Sequence, residues 1–156
     1  MMQMAVPEAD LTLDLTHRFH APRDLVFEMW TDPEHLVQWW GPEGVHIPES
    51  EIDVRVGGKW RTVMRNKDGG DHIVSGVYKE ITPPSKLVFT WGWEISGARE
   101  HQSTVTVEFI ETQDGTIVNL HQALLTSQED RDNHVSGWTS SLVCLEQALA
   151  KKSQAS

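Results

Sequence analysis

The stretch Thr126–Lys151, TSQEDRDNHVSGWTSSLVCLEQALAK, decides the fold. Its apolar residues Val135, Trp138, Leu142, Leu145 and Leu149 recur in steps of three and four, which places them on one stripe of an α-helix. Thr126 or Ser127 can cap that helix, and Thr126 with Glu129 has the spacing of a capping box. Glu129, Asp130 and Asp132 put negative charge at its start, and Lys151 and Lys152 put positive charge at its end, matching the helix dipole. Most of the preceding sequence alternates with a period of two, so this helix is expected to form one wall of whatever the strands enclose. Gly137 is the odd residue, because glycine inside a helix costs about 1 kcal/mol relative to alanine. It marks a close approach by a backbone or by a ligand, and tight helix-on-sheet packing is the expected reason.

Working outward in chain order, Leu11, Leu13 and Leu15 alternate with polar residues in a first strand over 10–20. Pro22 opens a short helix with Leu25, Val26, Met29 and Trp30 on its apolar face. Asp32 can cap, and Pro33 start, a second short helix reaching about Trp39. Residues 45–56 read as a strand with Ile52, Val54 and Val56 on one side, and Gly57-Gly58 as a hairpin signal. Trp60, Thr62 and Met64 share a face of the next strand, and a fourth covers 71–81. Leu87, Phe89, Trp91 and Trp93 line a fifth, followed by a loop over 94–100. Ser103, Val105, Val107 and Phe109 share a face of the sixth; Val118, Leu120, Gln122 and Leu124 share a face of the seventh. Without repeat, low-complexity tract or linker, 1–156 reads as a single domain with an ordered core over about 10–151. The class is α+β: a curved antiparallel sheet of six to seven strands around the long C-terminal helix, with two short helices after strand 1. Two short helices cannot cover six strands, so the C-terminal helix is expected to close the inward face.

Thirteen basic against 23 acidic residues give a net charge of −10. This argues against nucleic-acid and anionic-membrane partners, whose affinity comes from clustered Lys and Arg. No signal-peptide pattern and no apolar run near the ~20 residues that span a bilayer is present, which points to the cytoplasm without membrane insertion. The lone Cys144 has no intrachain disulfide partner and reads as small apolar packing. Eight histidines fall in no metal-ligand spacing. His72 and His101 could meet Glu94 or Glu108 only across strands. Nucleophile-elbow, phosphate-loop and dinucleotide motifs are missing from the sequence, so no catalytic residue, metal or cofactor is assigned. Arg55 and Arg61 read as an outward charge ladder with Asp53. Seven Trp against a single Tyr is the compositional anomaly, and clustered Trp either anchors a core or walls a ligand pocket.

The segments DPEHLVQWWGP, DVRVGGKWR, VSGVYKEITPPSKLVFTWGW and HVSGWTSSLVCLEQAL together resemble the bacterial homologues of the activator of heat-shock protein 90 ATPase. That family belongs to the START-like (Bet v allergen-like) helix-grip superfamily, and the resemblance runs from about Leu13 to Leu149. It implies a helix-grip fold with a cavity between sheet and helix, which relatives use for small apolar or amphipathic molecules. Its motifs are packing and turn patterns rather than catalytic signatures.

Alternation places a pocket on the inward strand faces. Trp60, Thr62, Met64, His72, Val74, Gly76, Phe89, Trp91, Ser103, Val105 and Gln122 are its expected wall, with His134, Trp138 and Leu142 from the helix. Gln122, His72, Ser103 and His101 are the polar groups expected to converge there, and Gly76 and Ser103 the small positions with space to enlarge. Three classes follow: a small-molecule binding protein, a co-chaperone or interaction module acting on a heat-shock protein 90 type ATPase, and a cavity enzyme of cyclase or hydrolase type. Trp39, Trp40 and Trp93 exceed what one pocket is expected to shelter, which leaves monomer and homodimer both open.

Overall fold

The period-two segments pair into one curved antiparallel sheet. The computed structural model describes residues 11–41, 44–95, 98–99, 102–125 and 127–155. Its elements are β1 (Leu13–Phe19), α1 (Arg23–Thr31), α2 (Pro33–Leu36), β2 (His46–Ile52), β3 (Lys59–Arg65), β4 (Asp71–Thr82), β5 (Lys86–Ile95), β6 (Ala98–Arg99), β7 (Ser103–Thr112), β8 (Gly115–Ala123) and α3 (Gln128–Ala155). The strands run in the order β1-β8-β7-β5-β4-β3-β2, with β6 pairing only with β5. β1 lies against β8, with Leu13 opposite Gln122 and Leu15 opposite Leu120. Ser103, Val105, Val107 and Phe109 of β7 and Thr116, Val118, Leu120 and Gln122 of β8 are buried, alternating with less buried neighbours. This is the period that seats one face of a sheet on a core.

α3 packs on the inner face by the stripe read from the sequence. Trp138, Leu142, Leu145 and Leu149 are buried, and Val135 is half-buried against the same core. Ser127 caps the helix, its Oγ accepting the Asp130 N–H at 3.0 Å, while Thr126 lies outside the described residues. Arg131 Nε donates to the Thr12 carbonyl at 2.7 Å and ties the helix start to the entry of β1. Asp32 caps α2 as expected, accepting the Glu34 N–H at 3.0 Å ahead of Pro33.

Four expectations need correction. β2 ends at Ile52 rather than residue 56, because Gly57, at φ +84°, turns the chain and donates its N–H to the Tyr78 carbonyl. Val56 is consequently 62% exposed in that turn. The loop expected over 94–100 instead contains a hairpin, with β5 continuing to Ile95 and Ile95 pairing with Ala98. Leu124 leaves the β8 face: at φ +67° the chain reverses, Leu124 points outward, and Leu125 enters the core while donating its N–H to the Leu11 carbonyl. The fourth concerns closure of the inner face. α3 shares it with α1 and with the residues after α2, since Trp30, Trp39 and Trp40 are all buried. Trp39 and Trp40, at 1% and 4% exposure, are core residues; Trp93 alone of the three is half-buried.

The packing of α3 predicts a defined cost for truncating its stripe. Leu142→Ala should lower unfolding free energy by about 2–5 kcal/mol, the range for a buried leucine cut to alanine. Denaturant titration checks this, and a loss below about half a kcal/mol would place the helix elsewhere.

Candidate functional site

Along the first half of α3, between helix and sheet, lies a cleft of about 290 Å³. The helix contributes Asp130, Asn133, His134, Gly137, Trp138 and Ser141, all on one continuation of the helical stripe. Facing them are Met64 near the end of β3, Trp91 and Trp93 of β5, and Trp40 with Gly41 after α2. Gly137 accounts for part of the space. A Cβ built there would meet nothing within 4 Å, so tight helix-on-sheet packing is not its role. The glycine faces the cleft, where a larger side chain would enter the empty volume.

Deeper between sheet and helix the interior is filled. A hole of only about 10 Å³ remains among Trp30, Leu36, Trp40, Trp60, Tyr78, Leu87 and Phe89, about the space of a single water. Trp60 stands edge-on to Phe89 at 5.8 Å and close to Trp40 and Trp91 at 5.7 Å. Burial here pushes the Tyr78 hydroxyl well above the usual phenol range, so it stays protonated.

The buried polar groups form a chain behind the aromatic wall. Trp138 Nε1 donates to Gln122 Oε1 at 2.8 Å, and Gln122 Nε2 donates to Ser103 Oγ at 2.8 Å. Ser103 Oγ in turn donates to the Trp91 carbonyl at 3.1 Å. Trp91 Nε1 donates to His134 Nε2 at 3.2 Å, and His134 Nδ1 lies 2.8 Å from the Asp130 carbonyl. Since Nε2 must accept from an indole, the hydrogen-bond network assigns the imidazole proton to Nδ1, which donates back into its own helix. Trp40 Nε1 donates to Thr62 Oγ1 at 3.0 Å.

Of the residues expected to line a pocket, Met64, Trp91, His134 and Trp138 come together around the cleft. Trp60, Thr62, Val74, Phe89, Val105 and Leu142 are instead buried in the packed interior. Ser103 and Gln122 belong to the hydrogen-bond chain behind the wall. Gly76 has no free space beside it: a Cβ would collide with the Thr90 carbonyl oxygen and lie 2.7 Å from Trp60 Nε1. His72 sits exposed at the start of β4, edge-on to Trp93 at 6.4 Å. His101 lies outside the described residues. Among the described residues no group of three or more His, Cys, Asp or Glu is placed to hold a metal. Sequence reading missed Trp40, Gly41, Trp93, Asp130, Asn133, Gly137 and Ser141 as lining residues. For the helical ones the signal was present, because stepping back from Trp138 by four gives His134 and Asp130, and stepping on by three gives Ser141.

A curved antiparallel sheet gripping a long C-terminal helix, with an aromatic cleft at one end of that helix, defines a helix-grip protein of the START-like class. The chain belongs to the family described as activator of Hsp90 ATPase homolog 1-like protein, whose model matches residues 20–150. It is similar in structure to the AHSA1 protein from Silicibacter pomeroyi, with 34% identity and a TM-score of 0.84 over 91% of this chain and 99% of that one. A protein from Nitrosomonas europaea is 26% identical with a TM-score of 0.79, over 94% and 98% of the two chains. One from Rhizobium leguminosarum is 26% identical with a TM-score of 0.80, over 90% and 95%. No curated protein matches this sequence. Among the described residues no helix is long and apolar enough to cross a membrane.

The buried chain gives a further prediction. Gln122→Leu should cost about 1–3 kcal/mol in stability, because the Trp138 indole N–H is left buried without its acceptor. Thermal and denaturant unfolding measure this, and a neutral effect would show that the Trp138–Gln122 bond does not fix the helix on the sheet.

Proposed function

We propose that this protein binds a small, largely apolar molecule in the cleft between the start of α3 and the ends of β3 and β5. The observation that carries the reading is the concentration of Trp40, Trp91, Trp93, Trp138 and Met64 around about 290 Å³ of empty space. That volume lies at the lower end of the usual range for small-molecule sites, and the lining has their usual make-up of aromatic walls with a few polar groups. A guest covering such a wall gains about 25 cal/mol for each Å² of apolar surface taken from water. Asp130, Asn133 and Ser141 would orient the guest, since polar groups in such sites set geometry more than affinity.

The family description also raises activation of a chaperone ATPase. Such a role would need an exposed docking face. Among the described residues the exposed large hydrophobic side chains are Val56, Ile110, Leu124 and Val143, none of them aromatic, whereas the cleft gathers Trp40, Trp91, Trp93 and Trp138 in one place. Ligand binding is therefore the better-supported reading.

Filling the cleft should abolish binding without harming the fold. Gly137→Leu replaces a poor helix residue with a good one, so the helix itself should gain up to about 1 kcal/mol. N-phenyl-1-naphthylamine, an uncharged environment-sensitive dye, should bind the native protein and lose at least about tenfold in affinity to the variant, with melting temperature unchanged or raised. Undiminished dye binding by well-folded Gly137→Leu would contradict the proposal, and so would failure of the native protein to bind any apolar probe.

A further inference from the structure

On that reading of the cleft, we infer the chemical class of its occupant: an organic cation, an ammonium group carried on an apolar or aromatic body. The first reason is the arrangement of the rings. Trp91 lies 5.7 Å from Trp40, 5.0 Å from Trp138 and 5.6 Å from Trp93, the last at 86°. Trp40 and Trp138 meet at 84° and 5.7 Å. Trp91 is tilted at 53° to Trp40 and at 47° to Trp138, so the cleft is lined by a contiguous cluster of indoles in differing orientations. The face of each ring is the negative end of its quadrupole, which attracts a cation within about 6 Å of the ring centre.

The second reason is where the indole N–H groups point. Trp40 gives its N–H to Thr62, Trp91 to His134 and Trp138 to Gln122. These three rings keep no donor for an anionic guest and offer carbon surface alone. His134 is turned the same way: its Nε2 is occupied by Trp91 and its Nδ1 faces the Asp130 carbonyl. Three of the four indoles around the cleft therefore have their N–H groups engaged within the protein.

The third reason is charge. Asp130 lines the cleft, and among the described residues no Lys or Arg lines it. The Asp130 carboxylate is 26% exposed, so it remains in reach of a guest at the rim while lying 3.3 Å from His134 Nδ1. A net charge of −10 also raises the local concentration of cations around the molecule. A fatty-acid-like anion would meet the Asp130 charge with no Lys or Arg among the described lining residues to pair with, and an anion desolvated without a partner is strongly disfavoured. A quaternary or primary ammonium would meet indole rings and a carboxylate in one cleft.

The test compares three probes by tryptophan fluorescence and calorimetry: benzyltrimethylammonium, its uncharged carbon isostere neopentylbenzene, and phenylacetate. The cation should bind at least about tenfold more tightly than the isostere, and phenylacetate should not bind measurably. Asp130→Asn keeps the shape of the rim and the backbone carbonyl that holds His134. It should shrink the preference for cation over isostere at least about threefold while leaving isostere affinity in place. Trp93→Leu, at a half-buried position, should also reduce that preference by removing one indole ring. If the isostere binds as tightly as the cation, the cationic class is overturned while the apolar cleft stands. If no probe binds, the cleft reading itself falls. A cation preference unchanged in both variants would show that the cation sits elsewhere, and would overturn the inference.

Discussion

Trp40 is held from several sides at once. Its ring meets Trp30, Trp39, Trp60, Phe89, Trp91 and Trp138 at centroid distances between 5.6 and 6.5 Å. Its Nε1 is fixed by Thr62 of β3. One side chain thus joins the helical segment, the middle of the sheet and the C-terminal helix. Aromatic pairs in offset or edge-to-face geometry are worth about 0.5–1.5 kcal/mol each beyond their buried area. Inner-facing strand residues alone would leave a void under a curved sheet; Trp40 and its neighbours fill it. The same ring then becomes the floor of the cleft, so the boundary between packed core and open site runs along one residue.

Placing so many indoles inside carries an obligation, because each has an N–H that must find an acceptor or stay desolvated. Trp39 uses the Met29 carbonyl, Trp60 the Thr90 carbonyl, and Trp138 the side chain of Gln122. Trp30 is the exception, its buried Nε1 having no acceptor among the described residues, a cost of about 1–3 kcal/mol. For Trp40, Trp91 and Trp138, which line the cleft, such bonds turn the indole N–H groups into the protein.

The fold was legible in the sequence because periods are legible. The α3 stripe, the alternation in β7 and β8, and the Asp32-Pro33 helix start each depend on neighbours a few residues away. Where the chain departs from a period, a local conformation is responsible: Leu124 at positive φ and the turn around Gly57 shift side chains to the other face, and hydrophobicity alone does not show it. The site was less legible. Trp60, Phe89 and Val105 face inward as the alternation requires, yet facing inward does not distinguish a lined cavity from a filled one. That outcome was decided by Trp39 and Trp40, which come from outside the sheet and occupy the space. Gly137 did announce itself as an anomaly. Its meaning, open space rather than tight contact, needed the position of the opposite wall.

The proposed site lies in the outer cleft, and its occupation is expected to leave the packed interior untouched. The seven tryptophans make this measurable directly. With 5-fluorotryptophan incorporated and each resonance assigned by single Trp→Phe replacement, fluorine NMR follows every indole during titration with N-phenyl-1-naphthylamine. Shifts are expected at Trp40, Trp91, Trp93 and Trp138, with Trp30, Trp39 and Trp60 nearly still. Shifts centred on Trp30, Trp39 and Trp60 would instead place the ligand in the interior and rule out the outer cleft as its site.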